Sequence, residues 1–241
     1  MNPLLRRATA HVVVASLDAP SLDSDDEHHL VRVLRVRPSD VVTLTDGEGR
    51  WRPARVVDGV VHPDGDVVVE EAPRPESEWR TVGCAVAKGD RPEWVVQKLT
   101  ELGLDRIVLF ESARTVVRWD ERKRAAQLER LRRVAREAAM QSRRVVLPRV
   151  EVCDFELAAS LPGVAIADPD GREPWWQPNR VALGVVPVPH TVLVGPEGGF
   201  TDDELARCPD RVALGRTILR VETAAIAAGV LMTTAAGGPI S

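Results

Sequence analysis

The chain reads as an α/β protein in two parts, a small β domain followed by a larger domain on a mostly parallel sheet. Three observations predict this. Short apolar runs alternate with turn signals over residues 1–72, the pattern of a small β fold. Ala72-Pro73-Arg74-Pro75-Glu76-Ser77-Glu78 is proline-rich and charged, as an interdomain linker is. Beyond it strand-like and helix-like runs alternate, which implies parallel strands joined by helices. The domains are therefore placed at residues 1–73 and 77–241.

In the first part the candidate strands are His11 to Ala15, Val31 to Val36, Val41 to Leu44, Ala54 to Val57 and Val67 to Val69. Asp46-Gly47-Glu48-Gly49 separates two of them and reads as a hairpin turn. In the second part Val82 to Ala87 is the first strand. Asp90 and Pro92 then open a helix that Gly103 stops. Ile107 to Phe110 follows as a strand. From Asp120 to about Gln141, Leu128, Leu131, Val134, Ala135 and Ala138 recur at helical spacing, with Arg124, Arg130, Arg133 and Arg136 on the other face. Val164 to Ala167, Thr191 to Val194 and Val212 to Leu214 are further strands, and Glu222 to Ala236 is a closing helix.

Composition narrows the function. No apolar run reaches the roughly 18 residues of a membrane span, and Val12 to Ala15 is too short for a signal-peptide core. Three separated cysteines, Cys84, Cys153 and Cys208, fit neither a disulfide framework nor a metal site. The expectation is a cytoplasmic protein without metal. The net charge of −4 hides an asymmetry, since residues 88–149 carry 16 basic and 9 acidic side chains. Such a region reads as a phosphate-binding footprint or as a solvated helix face.

Thr191-Val192-Leu193-Val194-Gly195-Pro196-Glu197-Gly198-Gly199-Phe200-Thr201-Asp202-Asp203-Glu204 reads as a buried strand, a glycine loop and a capped helix. Glycine permits positive φ and close backbone approach to a ligand. Thr201 with Glu204 forms a capping box. The loop follows the carboxyl end of a strand, where open α/β sheets bind ligands. It matches neither the dinucleotide fingerprint nor the P-loop. Ile166-Ala167-Asp168-Pro169 and the run Leu214 to Thr223 share this strand-to-loop character. Together the three segments could hold an adenine and a ribose.

These segments, with others, carry a specific resemblance. They are His29-Leu30-Val31-Arg32-Val33-Leu34-Arg35; Lys88-Gly89-Asp90 with Glu93 to Lys98 and Glu101-Leu102-Gly103; Gln141-Ser142 with Arg144 and Pro148; Gly195-Pro196-Glu197-Gly198-Gly199; and Ile218-Leu219-Arg220 with Glu222-Thr223-Ala224. In that order the chain resembles the SPOUT-class methyltransferases that modify N3 of a uracil in small-subunit (16S) ribosomal RNA. Met140, Arg216-Thr217 and Val221 depart from the family pattern. The resemblance implies an N-terminal PUA-like β-barrel that grips RNA, a C-terminal sheet with a deep trefoil knot, S-adenosylmethionine held in the knot, and a homodimer.

On this reading Ala167, Asp168, Val194, Gly195, Glu197, Gly198, Gly199, Leu214, Gly215, Thr217, Ile218 and Leu219 line the S-adenosylmethionine site. Arg220 stabilises charge on the base, and Glu222 is a candidate proton acceptor. His29, Arg32, Arg35, Arg91, Lys98, Gln141, Arg143 and Arg144 are candidates for ribosomal RNA contact. Lys98 could equally pair with Glu101 on its own helix. Trp175 and Trp176 are candidates to stack on a base or to close a small core. Ribose 2′-O-methylation of RNA and noncatalytic RNA binding are the alternatives; a phosphate-loop hydrolase lacks the Lys and Ser or Thr it requires.

Overall fold

The computed structural model describes residues 1–72, 74–172 and 188–235. Trp175 and Trp176 lie outside the described residues. Two compact units are present: Met1–Arg74 with Arg136–Leu147, and Pro75–Ala135 with Pro148–Ser241.

In the first unit, helix α1 (Pro3–Arg7) precedes strand β1 (Ala10–Val13). Helix α2 (Ser24–His28) and a π-helical turn (His29–Val33) come next, then β2 (Val42–Thr45), β3 (Arg50–Val57), β4 (Val60–Pro63) and β5 (Val68–Val69). The sheet runs β1-β2-β3-β4, with β5 also on β3. β1 and β2 are parallel, and the other pairs antiparallel. The Asp46–Gly49 turn joins β2 to β3 as expected. Val12, Leu30, Val42, Leu44, Ala54 and Val56 form the core.

The strand expected at Val31 to Val36 is instead helical as far as Val33 and irregular beyond it. Asp23 caps α2 by accepting from the Asp26 amide at 2.8 Å, and the helix runs on through His29. Leu30 is then buried, while residues 31–35 are exposed. A local cap and one buried anchor outweigh the β propensity of three valines.

Residues 136–147 complete this unit, although they follow the linker in sequence. Arg136 donates to both carboxylate oxygens of Asp26 and to the Val13 carbonyl. Met140 packs against the core. His11 is buried between the Thr43 hydroxyl, 2.9 Å from Nδ1, and the Arg144 carbonyl, 3.0 Å from Nε2.

The second unit holds a six-stranded sheet in the order β11-β9-β10-β6-β7-β8. Its strands are β6 (Thr81–Ala85), β7 (Arg106–Glu111), β8 (Arg149–Asp154), β9 (Val164–Arg172), β10 (Thr191–Val194) and β11 (Arg211–Val212). All neighbours are parallel. Strand β8 and the short helix α5 (Phe155–Ala159) went unread in the sequence. The other helices are α3 (Arg91–Glu101), α4 (Glu121–Ser142), α6 (Asp202–Arg207) and α7 (Val221–Ala235).

Helix α7 packs on α3, β6 and β10. Gly229 makes this possible, since a Cβ there would lie 2.7 Å from Leu99. The apolar face of α4 is buried through Leu131 and Ala135, as the periodicity predicts. Two of its arginines are paired within the protein: Arg124 lies 3.5 Å from Glu111 and Arg130 lies 2.9 Å from Glu93, while Arg133 is exposed. Among the described residues no helix is long and apolar enough to cross a membrane, and no cluster of three or more His, Cys, Asp or Glu could hold a metal ion.

Candidate active site

Two of the three segments, the Gly195–Gly199 and Gly215–Arg220 loops, follow the carboxyl ends of β10 and β11, whereas Ile166–Pro169, expected to turn from strand into loop after Ala167, lies within β9, which runs on to Arg172. Strand register sets Val194 beside Ala167 on one side and beside Cys84 on the other. Val194, Ala167, Leu214 and Leu219 share one apolar cluster with Val221. The chain runs outward through β6, β7 and β8, then returns to β9 and β10 on the opposite side of β6. The reversal falls between β6 and β10, the position where open α/β sheets bind ligands.

The glycine loop leaves β10 with its shape fixed by its neighbours. Thr201 and Glu204 form the expected capping box. Glu204 also accepts from the Ala113 amide at 2.8 Å. The Gly199 amide donates to the Pro196 carbonyl at 2.8 Å. Only Gly199 of the three loop glycines has positive φ, at 68°.

The glycines therefore serve different purposes, which corrects the expectation that all three exist for ligand approach. A Cβ at Gly195 would lie 2.7 Å from the Phe200 ring. That ring is itself packed on Phe110 and Phe155. At Gly199 and Gly215 a Cβ would meet nothing among the described residues within 4 Å, which leaves room for a ligand against the backbone there. Gly195→Ala should therefore cost about 1–3 kcal/mol of stability, whereas Gly215→Ala should be nearly neutral. Thermal denaturation of both variants checks this; equal melting temperatures would mean that Phe200 yields freely.

The loop from Gly215 to Arg220 is exposed except at Leu219, and Ile218 is 81% exposed. Arg220 pairs with no carboxylate among the described residues. Glu222, in the first turn of α7, is largely buried, and its Oε2 has no hydrogen-bond partner among the described residues. Its Oε1 lies 4.0 Å from Arg91 Nε, while Arg91 Nη1 lies 2.8 Å from Glu197. Arg91 thus bridges the glycine loop and α7. Burial, reinforced by the Glu222 charge, pushes the Cys84 thiol up to about 12, so Cys84 is no nucleophile at neutral pH. Asp168 lies 3.6 Å from Arg211, and its Oδ1 accepts from the Asp170 amide at 2.8 Å.

The residues expected to contact RNA are divided between the units. His29, Arg32, Arg35 and Gln141 are exposed in the first. There the Arg143 guanidinium donates to the carbonyls of Met140, Ala8 and Thr9, while the Arg144 carbonyl faces His11. In the second unit Lys98 is 2.8 Å from Glu101, the pairing its spacing allows. Thr217 is exposed in the loop before α7.

Residues 74–233 match the model of an RNA methyltransferase domain, and residues 22–59 match that of an RNA methyltransferase PUA domain. The chain belongs to the RNA methyltransferase family. Curated relatives agree. Ribosomal RNA small subunit methyltransferase E of Mycobacterium bovis is 33% identical over 86% of this chain and 83% of its own. The Bacillus subtilis protein of the same name is 29% identical over 85% of each chain. The crystal structure of ribosomal RNA small subunit methyltransferase E from Neisseria gonorrhoeae, bound to S-adenosylmethionine, covers 93% of this chain and 97% of its own at a TM-score of 0.73 and 29% identity.

Within this methyltransferase, sequence reading passed over Arg114, whose Nη1 donates to the carbonyls of Gly198 at 2.9 Å and Phe200 at 3.1 Å. The signal lay in its place, just past the carboxyl end of a strand.

Proposed function

We propose that this methyltransferase transfers the methyl group of S-adenosylmethionine to N3 of a uracil in small-subunit ribosomal RNA, as a cytoplasmic homodimer. The observation that carries the reading is the joining, at the reversal in strand order, of an open glycine loop, an exposed Gly215–Arg220 loop and the unpartnered carboxylate oxygen of Glu222. The domain at residues 1–73 grips RNA and that at 77–241 carries the chemistry. The trefoil knot implied by the motifs belongs to the same proposal.

The residues fit the cofactor. Backbone of Gly195, Glu197, Gly198, Gly199, Gly215 and Thr217 would hold its polar edges, and Ala167, Val194, Leu214, Ile218 and Leu219 its adenine; Asp168 would accept from the ribose. When bound, S-adenosylmethionine supplies an electrophilic methyl group. This chain's residues must remove the imide proton and favour the resulting anion, since N3 carries a hydrogen in neutral uracil. Glu222 offers the proton acceptor, with Arg91 holding its other oxygen. Arg220 offers the positive charge that favours the anionic base. His29, Arg32, Arg35, Gln141, Arg143 and Arg144 bind RNA from the first unit, and Lys98 and Arg91 from the second.

Two measurements test this. Calorimetry with S-adenosylhomocysteine should show binding to the purified protein, and mass spectrometry of small-subunit ribosomal RNA from a strain lacking the gene should show loss of one N3-methyluridine. An unchanged methyluridine profile would refute the substrate.

A further inference from the structure

Two successive residues outside the glycine loop hold it from one side. The Ala113 amide donates to Glu204, the carboxylate that caps α6. Arg114 then lies along Gly198, where a Cβ would be 3.5 Å from the Arg114 Cβ and 3.6 Å from its Cδ. Beyond this contact its Nη1 donates to two loop carbonyls, Gly198 and Phe200. Residues 112–115 form a hydrogen-bonded turn, in which the Thr115 hydroxyl accepts from the Ser112 amide at 2.9 Å and the Thr115 amide donates to the Ser112 carbonyl at 3.2 Å.

One nitrogen therefore fixes two carbonyls that flank Gly199, the loop residue in the left-handed conformation. A guanidinium can serve both without rotating, because Nη1 carries two hydrogens in a planar fork. Charge-assisted bonds of this kind are stronger than neutral ones. Loosening them would let peptide planes 198–200 turn and would change the shape of the loop, including the Gly199 amide bond to the Pro196 carbonyl. Binding to a loop that must first be ordered is weakened by the cost of ordering it.

We infer that Arg114 is a positioning residue for S-adenosylmethionine, setting cofactor affinity through the carbonyls of Gly198 and Phe200 without touching the cofactor or the RNA. The inference rests on the proposed cofactor site and adds a residue that lies outside it.

The test is Arg114→Ala and Arg114→Lys in the full-length protein. S-adenosylhomocysteine Kd should rise about tenfold for alanine and less for lysine. Turnover at saturating cofactor and RNA should stay within about threefold, and KM for RNA should not move. Hydrogen exchange at the Gly199 amide should accelerate in Arg114→Ala, with a melting temperature near wild type. An unchanged Kd, a rise confined to KM for RNA, or unchanged Gly199 exchange would overturn the inference. If the wild-type protein binds no S-adenosylhomocysteine, the functional proposal fails instead, and the Gly199 exchange comparison still decides whether Arg114 tethers the loop.

Discussion

Arg220→Ala is expected to lower turnover about 100- to 1,000-fold while S-adenosylhomocysteine affinity stays within about threefold; the magnitude is that of removing one preorganised group that stabilises developing charge. Arg220 is exposed and lacks a carboxylate partner among the described residues, so its charge is not already neutralised within the protein. Its backbone is anchored, since the Ala224 amide donates to the Arg220 carbonyl at 2.8 Å in the first turn of α7. The Arg220 backbone is thereby fixed two residues before Glu222, the proposed proton acceptor. Substrate would feel the guanidinium only as the imide becomes anionic, so the effect should fall on kcat. Steady-state kinetics beside calorimetry checks this, and wild-type turnover would remove Arg220 from the chemistry.

Acidification is expected to destabilise the first unit by roughly 3 kcal/mol through His11 alone. Burial, with a smaller contribution from the nearby Arg143 charge, lowers this imidazole from 6.5 to about 4, against the opposing hydrogen bond to Arg144. The Arg144 carbonyl can only accept, so neutral His11 carries its proton on Nε2 and receives the Thr43 hydroxyl at Nδ1. In the unfolded chain the ring takes up a proton near pH 6.5. Between about 6.5 and 4 the unfolded state then binds more protons than the folded one. The stability present above pH 6.5 is lost progressively as pH falls through that window, and the loss is complete below about 4. Urea unfolding at pH 7 and pH 4.5 should show the decline, and His11→Gln should flatten it. An equal decline in the variant would assign the acid sensitivity to carboxylates.

Much of the second unit was legible because its signals are local. The Thr201–Glu204 box, the stop at Gly103 and the apolar stripe of α4 each depend on residues within a few positions, where chain geometry alone sets the neighbours. Val31 to Val36 was misread for the complementary reason. Its β-branched residues resemble a strand, but Asp23 starts a helix upstream that runs through His29, and burial of Leu30 leaves its neighbours outside. Strand β8 carries the alternation of charged and apolar residues that a half-buried strand shows, from Arg149 to Val152, and was passed over all the same; its pairing with β7 is decided by register with distant residues.

The candidate site divides along the same line. By itself the sequence determined that two loops follow parallel strands, that one is glycine-rich and leads into a capped helix, and that Arg220 and Glu222 stand at the start of another helix; the third segment, at Asp168, lies within β9. These are statements about adjacent residues, governed by backbone geometry and local hydrogen bonds. Only the tertiary structure decided that β10 lies between β6 and β9, that Gly195 makes room for Phe200 while Gly199 and Gly215 stay open, and that Arg91 bridges Glu197 and Glu222. It also brought Arg124, Arg130 and Arg136 of α4 to Glu111, Glu93 and Asp26, and Arg114 to the loop carbonyls. Each of those contacts joins residues far apart in the chain, and packing and charge pairing between such residues depend on how the strands are ordered.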